Sequence, residues 1–337
     1  MADLVRSLVR ETGLREYDIV RIMSRAPSMY KTYTIPKRTG GLREISQPAR
    51  EVKFVQRALI KVLIEKLPVH PAATAYRKGA SIRQNVEPHA KNGPILKVDL
   101  KNFFPSIRSR DWVSYCEENH LDLDANEVYL SARLLFFKRK GARNLTLAIG
   151  APSSPMLSNV LMYKFDEAII AFFENDKISY TRYADDLTFS APRTGYLNGV
   201  LKTVSQAIRH IKYPKLDINS KKTTYVTKKY SRNVTGLTIA NDGRITIGRE
   251  NKRKLSAAVH SVKMGLASPE RQQVIAGMLA YVNSVEPEFI SVLRKKYGDG
   301  VVSDLQKAVQ IGHKIESHLP VMARTVNSQL EQLFGED

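Results

Sequence analysis

Cysteine is almost absent from this chain, with Cys116 standing alone among 337 residues. One thiol can close no internal disulfide and cannot build a cysteine-rich zinc site. The disulfide framework of small secreted domains is therefore excluded, and a reducing compartment such as a cytoplasm is expected. Long apolar runs are missing too. No stretch of about eighteen consecutive apolar residues occurs, which removes a spanning helix and argues against a membrane partner. Residues Met1 to Ser7 lack the apolar core and small-residue cleavage site of a signal peptide. Neither a repeat of fixed period nor a low-complexity tract is present. Acidic residues are the scarcer charge, 33 against 53 Lys and Arg, which leaves a net charge of +20. Such an excess costs self-repulsion unless a polyanion or an anionic surface answers it, so nucleic acid is the expected partner. The plain alternative is a basic protein with no such partner.

What remains is ample for folding. Hydrophobic residues make up 43% of the chain, and its length suits one elaborated domain or two to three packed subdomains. Residues 1–30 read as short helices, with Leu4, Leu8 and Val9 at helical spacing. Two β-prone segments flank Gly40-Gly41, a dipeptide that tolerates the positive φ of a tight hairpin turn. Phe54 to Leu67 reads as a helix with Phe54, Val55, Ala58, Leu59, Val62 and Leu63 on one face. Ile95 to Leu100 is a short apolar strand. Ser154 is placed to cap a helix that Pro155 opens. Ile178 to Ser190 reads as a hairpin, Leu201 to Ile211 as a helix and Leu216 to Val226 as a strand region. Asn233 to Ile247 is β-like around the turn Asn241-Asp-Gly243. From about Lys252 the pattern turns helical and basic, including Gln272–Tyr281 and Val301–His318, so a subdomain boundary is expected near residue 250.

The acids carry the chemistry. Asp185 and Asp186 are neighbours at the tip of a hairpin, between Tyr183 and Leu187-Thr-Phe189. Adjacent carboxylates repel unless a cation or a proton lies between them, and hard divalent ions prefer carboxylate oxygen. An Asp-Asp pair alone is more often an exposed turn. Asp99, however, ends a strand of its own, and a strand laid beside the hairpin would bring three acids together. Such a triad can hold two metal ions roughly 3.5–4 Å apart, the arrangement of polymerases.

At these residues the chain resembles the reverse transcriptases. Tyr183-Ala-Asp-Asp186, within Tyr180-Thr-Arg-Tyr-Ala-Asp-Asp-Leu-Thr-Phe-Ser190, resembles their catalytic signature. Ile35-Pro-Lys-Arg-Thr-Gly-Gly-Leu-Arg43 resembles the fingers hairpin, and Val98-Asp-Leu-Lys-Asn-Phe-Phe-Pro-Ser-Ile107 the first catalytic strand. Gly150-Ala-Pro-Ser-Ser-Pro-Met-Leu-Ser-Asn159 resembles the start of the template- and nucleotide-binding helix, and Leu216-Asp-Ile-Asn-Ser-Lys-Lys-Thr223 the palm segment that follows the hairpin. The five blocks stand in the family's order over residues 30–250. A finer resemblance is to bacterial retron reverse transcriptases. Ser81-Ile-Arg-Gln-Asn85-Val-Glu-Pro-His89 is similar to their Asn-Ala-x-x-His block, with Val86 in place of alanine, and Val234-Thr235-Gly236 to their Val-Thr-Gly block. Ala148-Ile149 stand where relatives usually carry Pro-Gln.

The resemblance implies an α+β right-hand polymerase fold with fingers, a palm (antiparallel sheet backed by helices) and a helical thumb. The expected divisions are an N-terminal helical extension over 1–30, fingers and palm over 31–250, and a thumb that binds RNA or duplex over 251–337. It implies an RNA-directed DNA polymerase that copies part of a cognate structured non-coding RNA into short msDNA, primed from an RNA 2′-hydroxyl. Expected companions are dNTPs, two Mg²⁺ ions (Mn²⁺ as a substitute), a host RNase H for template removal, and an anti-phage defence effector, all in a bacterial cytoplasm. Asp99, Asp185 and Asp186 are the implied metal ligands, with Leu100, which can offer only its backbone.

Lys37, Arg43, Phe104, Gly150, Ala151 and Pro152 are the implied nucleotide contacts, Phe104 as the steric gate against a ribose 2′-hydroxyl. A solvated strand edge for Lys37 and Arg43, and core packing for Phe103 or Phe104, are the alternatives. Lys222 is a candidate acid toward departing pyrophosphate, with a phosphate tether or a surface lysine as its other readings. Asn85, His89, Val234, Thr235, Gly236, Arg253 and Lys254 are candidate RNA contacts; for Asn85 and His89 a hydrogen-bonded structural role is the alternative. Other bacterial reverse transcriptases (group II-like, diversity-generating or abortive-infection) and a non-catalytic RNA-binding scaffold are the rival readings.

Overall fold

A computed structural model of the chain describes residues 4–37, 40–173 and 176–313. The chain forms two compact units. Described residues up to Gly79, with Leu96–Phe189 and Gly195–Tyr225, make the first; Ala80–Ile95, Ser190–Thr194 and the described residues from Val226 onward make the second. The chain thus enters the second unit for good after Tyr225, earlier than the compositional shift near residue 250 suggests. The helices of the first thirty residues belong to the first unit.

In the first unit, helices Leu4–Thr12 and Glu16–Arg25 pack on helices Arg50–Val62 and Ala125–Leu135. Strands β1 (Tyr30–Pro36) and β2 (Leu42–Pro48) pair antiparallel, and Gly40 and Gly41 turn the chain with φ of 85° and 80°. The helix expected from Phe54 begins earlier, at Arg50, and ends at Val62. Its buried face is Val52, Val55, Gln56, Ala58 and Leu59, whereas Phe54 is exposed. The spacing 52-55-56-59 follows one helical stripe, and position 54 falls off it.

The central sheet joins β3 (Ile95–Asp99) to the hairpin formed by β6 (Ser179–Tyr183) and β7 (Asp186–Ser190), and to β8 (Thr224–Val226), in the order β6-β7-β3-β8. The short strands β4 (Phe137–Lys138) and β5 (Leu145–Thr146) form a separate ribbon. Helices Ser154–Leu161 and Tyr163–Phe172 lie between that ribbon and the hairpin in sequence. Ser153 occupies the cap position of the first of them and Ser154 is already helical, a one-residue correction to the expected cap; Ser153 makes no side-chain capping bond. The strand expected over Leu216–Val226 is mostly not a strand. Ile218 makes one bridge to Leu100, Ser220–Lys222 form a 3-10 turn, and only the last three residues join the sheet.

The second unit packs helices Arg249–Lys263, Pro269–Val285, Pro287–Tyr297 and Asp299–His313 around a core that includes Val234, Leu237, Leu255, Val259, Ile275 and Leu279. Strands β9 (Arg232–Val234), β10 (Leu237–Ile239) and β11 (Ile245–Thr246) form its three-stranded antiparallel sheet. The part of the expected Val301–His318 helix beyond His313 lies outside the described residues. Among the described residues no helix is long and apolar enough to cross a membrane.

Candidate active site

Asp99 is the last residue of β3, Asp185 sits in the turn between β6 and β7, and Asp186 opens β7. Sheet order places β7 directly beside β3, so the three acids meet at one end of adjacent strands. One ligand oxygen from each lies within 4.8 Å of the others, with Asp99 buried and the other two half-buried. The turn is tied down where it matters. The Leu100 N–H donates to the Asp185 carbonyl at 2.9 Å, locking the end of β3 to the hairpin tip. Ala184 takes a left-handed φ of 58°, disfavoured for a residue with a Cβ, which lets a two-residue turn present consecutive acids.

The segment after the hairpin holds Asp99 from a third side. The Asn219 N–H donates to the Asp99 carbonyl at 2.8 Å and its side-chain amide to Asp99 Oδ1 at 2.9 Å. Lys222 Nζ lies 2.8 Å from Asp99 Oδ2 while remaining largely exposed. Lys222 is therefore a counter-charge to the acids in this structure. Three carboxylates this close repel one another, and a divalent cation among them relieves that repulsion. The donors are all hard oxygens, with no histidine or cysteine in the cluster, which fits an ion of the Mg²⁺ kind.

Four further residues, none of them given a role in the sequence reading, underpin the hairpin. Arg182 and Asp166 form a fully buried ion pair at 2.6 Å, joined by the Tyr180 hydroxyl, which donates to Asp166 Oδ1 at 2.7 Å. Asn159 accepts from Arg182 Nη1 at 3.1 Å. Burial alone would lower the Arg182 pKa, but the charge and hydrogen bonds of Asp166 outweigh it and hold the guanidinium above its ordinary value. Burial pushes the Tyr180 phenol well up, so it stays a donor.

Residues expected at the nucleotide divide by environment. Phe103 is buried in the core, whereas Phe104, five residues past Asp99, is only half-buried and stacks edge-on to it at 5.3 Å. Gly150 has φ of 122°, and a Cβ there would stand 3.0 Å from the Ser46 carbonyl oxygen. The loop presses that closely on β2 because the Ser46 N–H donates to the Ile149 carbonyl at 2.8 Å. Ala148 and Ala151 are buried against Phe137 and Tyr30, so the alanine at 148 is accommodated as a small core residue; Pro152 is half-buried. Lys37 is exposed at the hairpin tip, its N–H bonded to the Gly41 carbonyl, and Arg43 is half-buried on β2.

The seven residues expected to touch RNA lie in the second unit, and three of them are buried. Asn85 and His89 are fully buried and Val234 nearly so. Asn85 Nδ2 donates to Thr235 Oγ1 at 3.2 Å, and His89 Nδ1 lies 2.6 Å from Ser190 Oγ. Thr235 and Gly236, with φ of 46° and 86°, are the two-residue turn between β9 and β10. Asn85 therefore links the two blocks and His89 bonds outside them, hydrogen bonds of the kind the structural alternative describes. Arg253 is exposed, and Lys254 is half-buried beside Glu250 at 2.9 Å.

A sheet that brings three strand-end carboxylates together is the arrangement of a nucleotidyl-transferring polymerase. The profile of the reverse transcriptase (RNA-dependent DNA polymerase) family matches residues 35–239. The retron Ec83 reverse transcriptase of Escherichia coli is 36% identical over 294 residues, covering 87% of this chain and 94% of that protein. The E. coli retron Ec73 and Ec86 enzymes are 31% and 33% identical, over 87% and 80% of this chain and 95% and 82% of their own lengths. A solved telomerase from Candida albicans, in complex with a telomeric RNA fragment, aligns with a TM-score of 0.50 at 13% identity. It covers 93% of this chain, which spans 62% of the telomerase chain, and it bears on the fold alone. The chain belongs to the reverse transcriptases, and within them to the bacterial retron enzymes. It is an RNA-directed DNA polymerase with the α+β right-hand fold of that class.

Proposed function

We propose that this enzyme copies part of a cognate structured non-coding RNA into short msDNA, extending from a 2′-hydroxyl of that RNA. The observation that carries the chemistry is the convergence of Asp99, Asp185 and Asp186 within 4.8 Å. These acids, with the backbone of Leu100, would hold two Mg²⁺ ions, for which Mn²⁺ is a substitute. A bound pair of such ions lowers the pKa of the attacking hydroxyl and neutralises charge on the triphosphate. The chain's own residues supply the positioning. Asn219 and Lys222 orient Asp99. Lys37, Arg43 and the Gly150–Pro152 loop bind the dNTP, and the half-buried Phe104 ring rejects a ribose 2′-hydroxyl. In the thumb, residues 251–337, Arg253 and Lys254 contact phosphates, which gives salt-dependent affinity without sequence readout. Template removal is left to a host RNase H, and the product serves anti-phage defence beside an effector protein.

Changing Asp185 or Asp186 to Asn is expected to abolish metal-dependent DNA synthesis while RNA binding, measured by filter retention, persists. Unchanged synthesis would refute the metal assignment. Sequencing of nucleic acid that copurifies with the chain tests the rest: a short DNA branched from a structured RNA is the expected finding, and RNA alone would leave a scaffold.

A further inference from the structure

Beneath the catalytic turn lies a charged network that the proposed chemistry does not use. Arg182 and Asp166 are fully buried, and taking both charges out of water is costly, so stability alone is a poor reason to keep them. The geometry shows what else they do. Arg182 Nε lies 2.8 and 3.1 Å from the two Asp166 oxygens and Nη2 lies 2.6 Å from Oδ2, a fork that fixes the plane of the guanidinium. Nη1 points the other way, to Asn159 Oδ1 at 3.1 Å and to the Ala184 carbonyl at 3.3 Å. A plain core ion pair would need only the first set of bonds.

Ala184 is the left-handed residue immediately before Asp185. The guanidinium thus grips the one peptide whose orientation decides where Asp185 and Asp186 face. Its anchors are themselves fixed. The Arg182 N–H donates to the Ala72 carbonyl at 2.7 Å, its carbonyl accepts from the Thr74 N–H at 2.9 Å, and the Asn159 amide donates to the Ala75 carbonyl at 2.7 Å. Lysine could neutralise Asp166 only as a point charge and could not hold both directions in one plane.

We infer that Arg182, clamped by Asp166 and Asn159, is a positioning residue that fixes the Ala184–Asp185 peptide and through it the spacing of the metal-binding carboxylates. The inference rests on the reading that Asp99, Asp185 and Asp186 hold metal.

Two variants test it, Arg182→Lys, which keeps the charge, and Asn159→Ala, which keeps the ion pair. Mn²⁺ is titrated against the full chain without nucleic acid and followed by electron paramagnetic resonance. Primer extension is measured in parallel over a range of Mg²⁺ concentrations. Arg182→Lys is expected to weaken Mn²⁺ binding about tenfold, the usual scale for residues that orient metal ligands, and Asn159→Ala to weaken it less. Both should raise the Mg²⁺ concentration for half-maximal extension, with much of the rate recovered at saturating metal. A purely structural role would lower the melting temperature or the active fraction and leave half-saturation unmoved; that result in a folded variant overturns the inference. Where Arg182→Lys does not fold, Asn159→Ala decides alone. Asp185→Asn separates the two readings. If it binds Mn²⁺ as the parent does, the metal assignment fails. If it loses binding while the two variants match the parent, only the positioning role fails.

Discussion

Acid should loosen the second unit through one side chain, His89. The ring is fully buried, and burial pushes its pKa from the ordinary 6.5 down to about 4. Ser190 Oγ accepts from Asn92 Nδ2 at 2.7 Å, so its single proton is available to His89 Nδ1 at 2.6 Å, and the imidazole accepts it as a neutral ring. In the unfolded chain the same ring takes up a proton near 6.5. Between the two values the unfolded state binds more protons, so stability falls as pH drops through that window and the loss is complete below about 4. The gap from 6.5 to about 4, at about 1.4 kcal/mol per pH unit, amounts to roughly 3 kcal/mol. That is a large fraction of the about 5–15 kcal/mol that holds a typical domain together.

Hydrogen exchange read by mass spectrometry at pH 7, 5.5 and 4.5, corrected for intrinsic rates, resolves the effect on peptides from residues 82–95 and 232–247. Trp112, the chain's sole tryptophan, is buried in the first unit, so its fluorescence follows that unit separately. His89→Gln removes the titration. The parent should lose roughly a hundredfold more protection than the variant on going to acid, with the difference confined to second-unit peptides. Parallel pH profiles for parent and variant would refute the reasoning.

Phe104→Ala should raise ribonucleotide incorporation relative to deoxynucleotide incorporation; unchanged sugar preference in single-nucleotide extension would reject the gate. Gly150→Ala puts a Cβ 3.0 Å from the Ser46 carbonyl oxygen and 3.1 Å from Ile45 Cγ2 at a φ of 122°. It should destabilise the chain by about 1–3 kcal/mol, seen as a lowered melting temperature. Asn219→Ala removes the donor to Asp99 Oδ1 and should slow extension by about fivefold, a loss of about 1 kcal/mol, without changing the melting temperature by more than a few degrees.

The parts of the site that local chemistry dictates were legible in the sequence. Gly40-Gly41 announced the β1–β2 hairpin because few other residues take two successive positive φ values. The Asp-Asp pair and the strand-end Asp99 announced the cluster of three carboxylates because adjacent acids at the end of a strand pair need a reason to be there. What stayed hidden depends on contacts between distant residues. Asp166 lies sixteen residues from Arg182 and reads as an ordinary helix surface acid until the fold buries both. The Leu216–Val226 segment looked extended, yet Asn219 gives both its backbone N–H and its side-chain amide to Asp99, and the chain curls into a 3-10 turn to do so. The second unit is assembled from three separate stretches, and no local composition shift marks the first two.

The same distinction bears on the blocks that resemble the retron pattern. The blocks that resemble the retron pattern, around Asn85 and His89 and at Val234-Thr235-Gly236, are linked by the Asn85–Thr235 hydrogen bond, while His89 bonds Ser190. A fully buried amide and imidazole can offer nothing to a base edge or a phosphate while those bonds hold. In the second unit, Asn85 ties residues 80–95 to the β9–β10 turn, and His89 and Asn92 tie the same stretch to Ser190. Cations able to meet RNA are instead exposed on the helices, such as Arg249, Arg253, Lys263, Lys295 and Lys296. Exposed lysines and arginines reach phosphates, and phosphate contacts position a nucleic acid without reading its sequence.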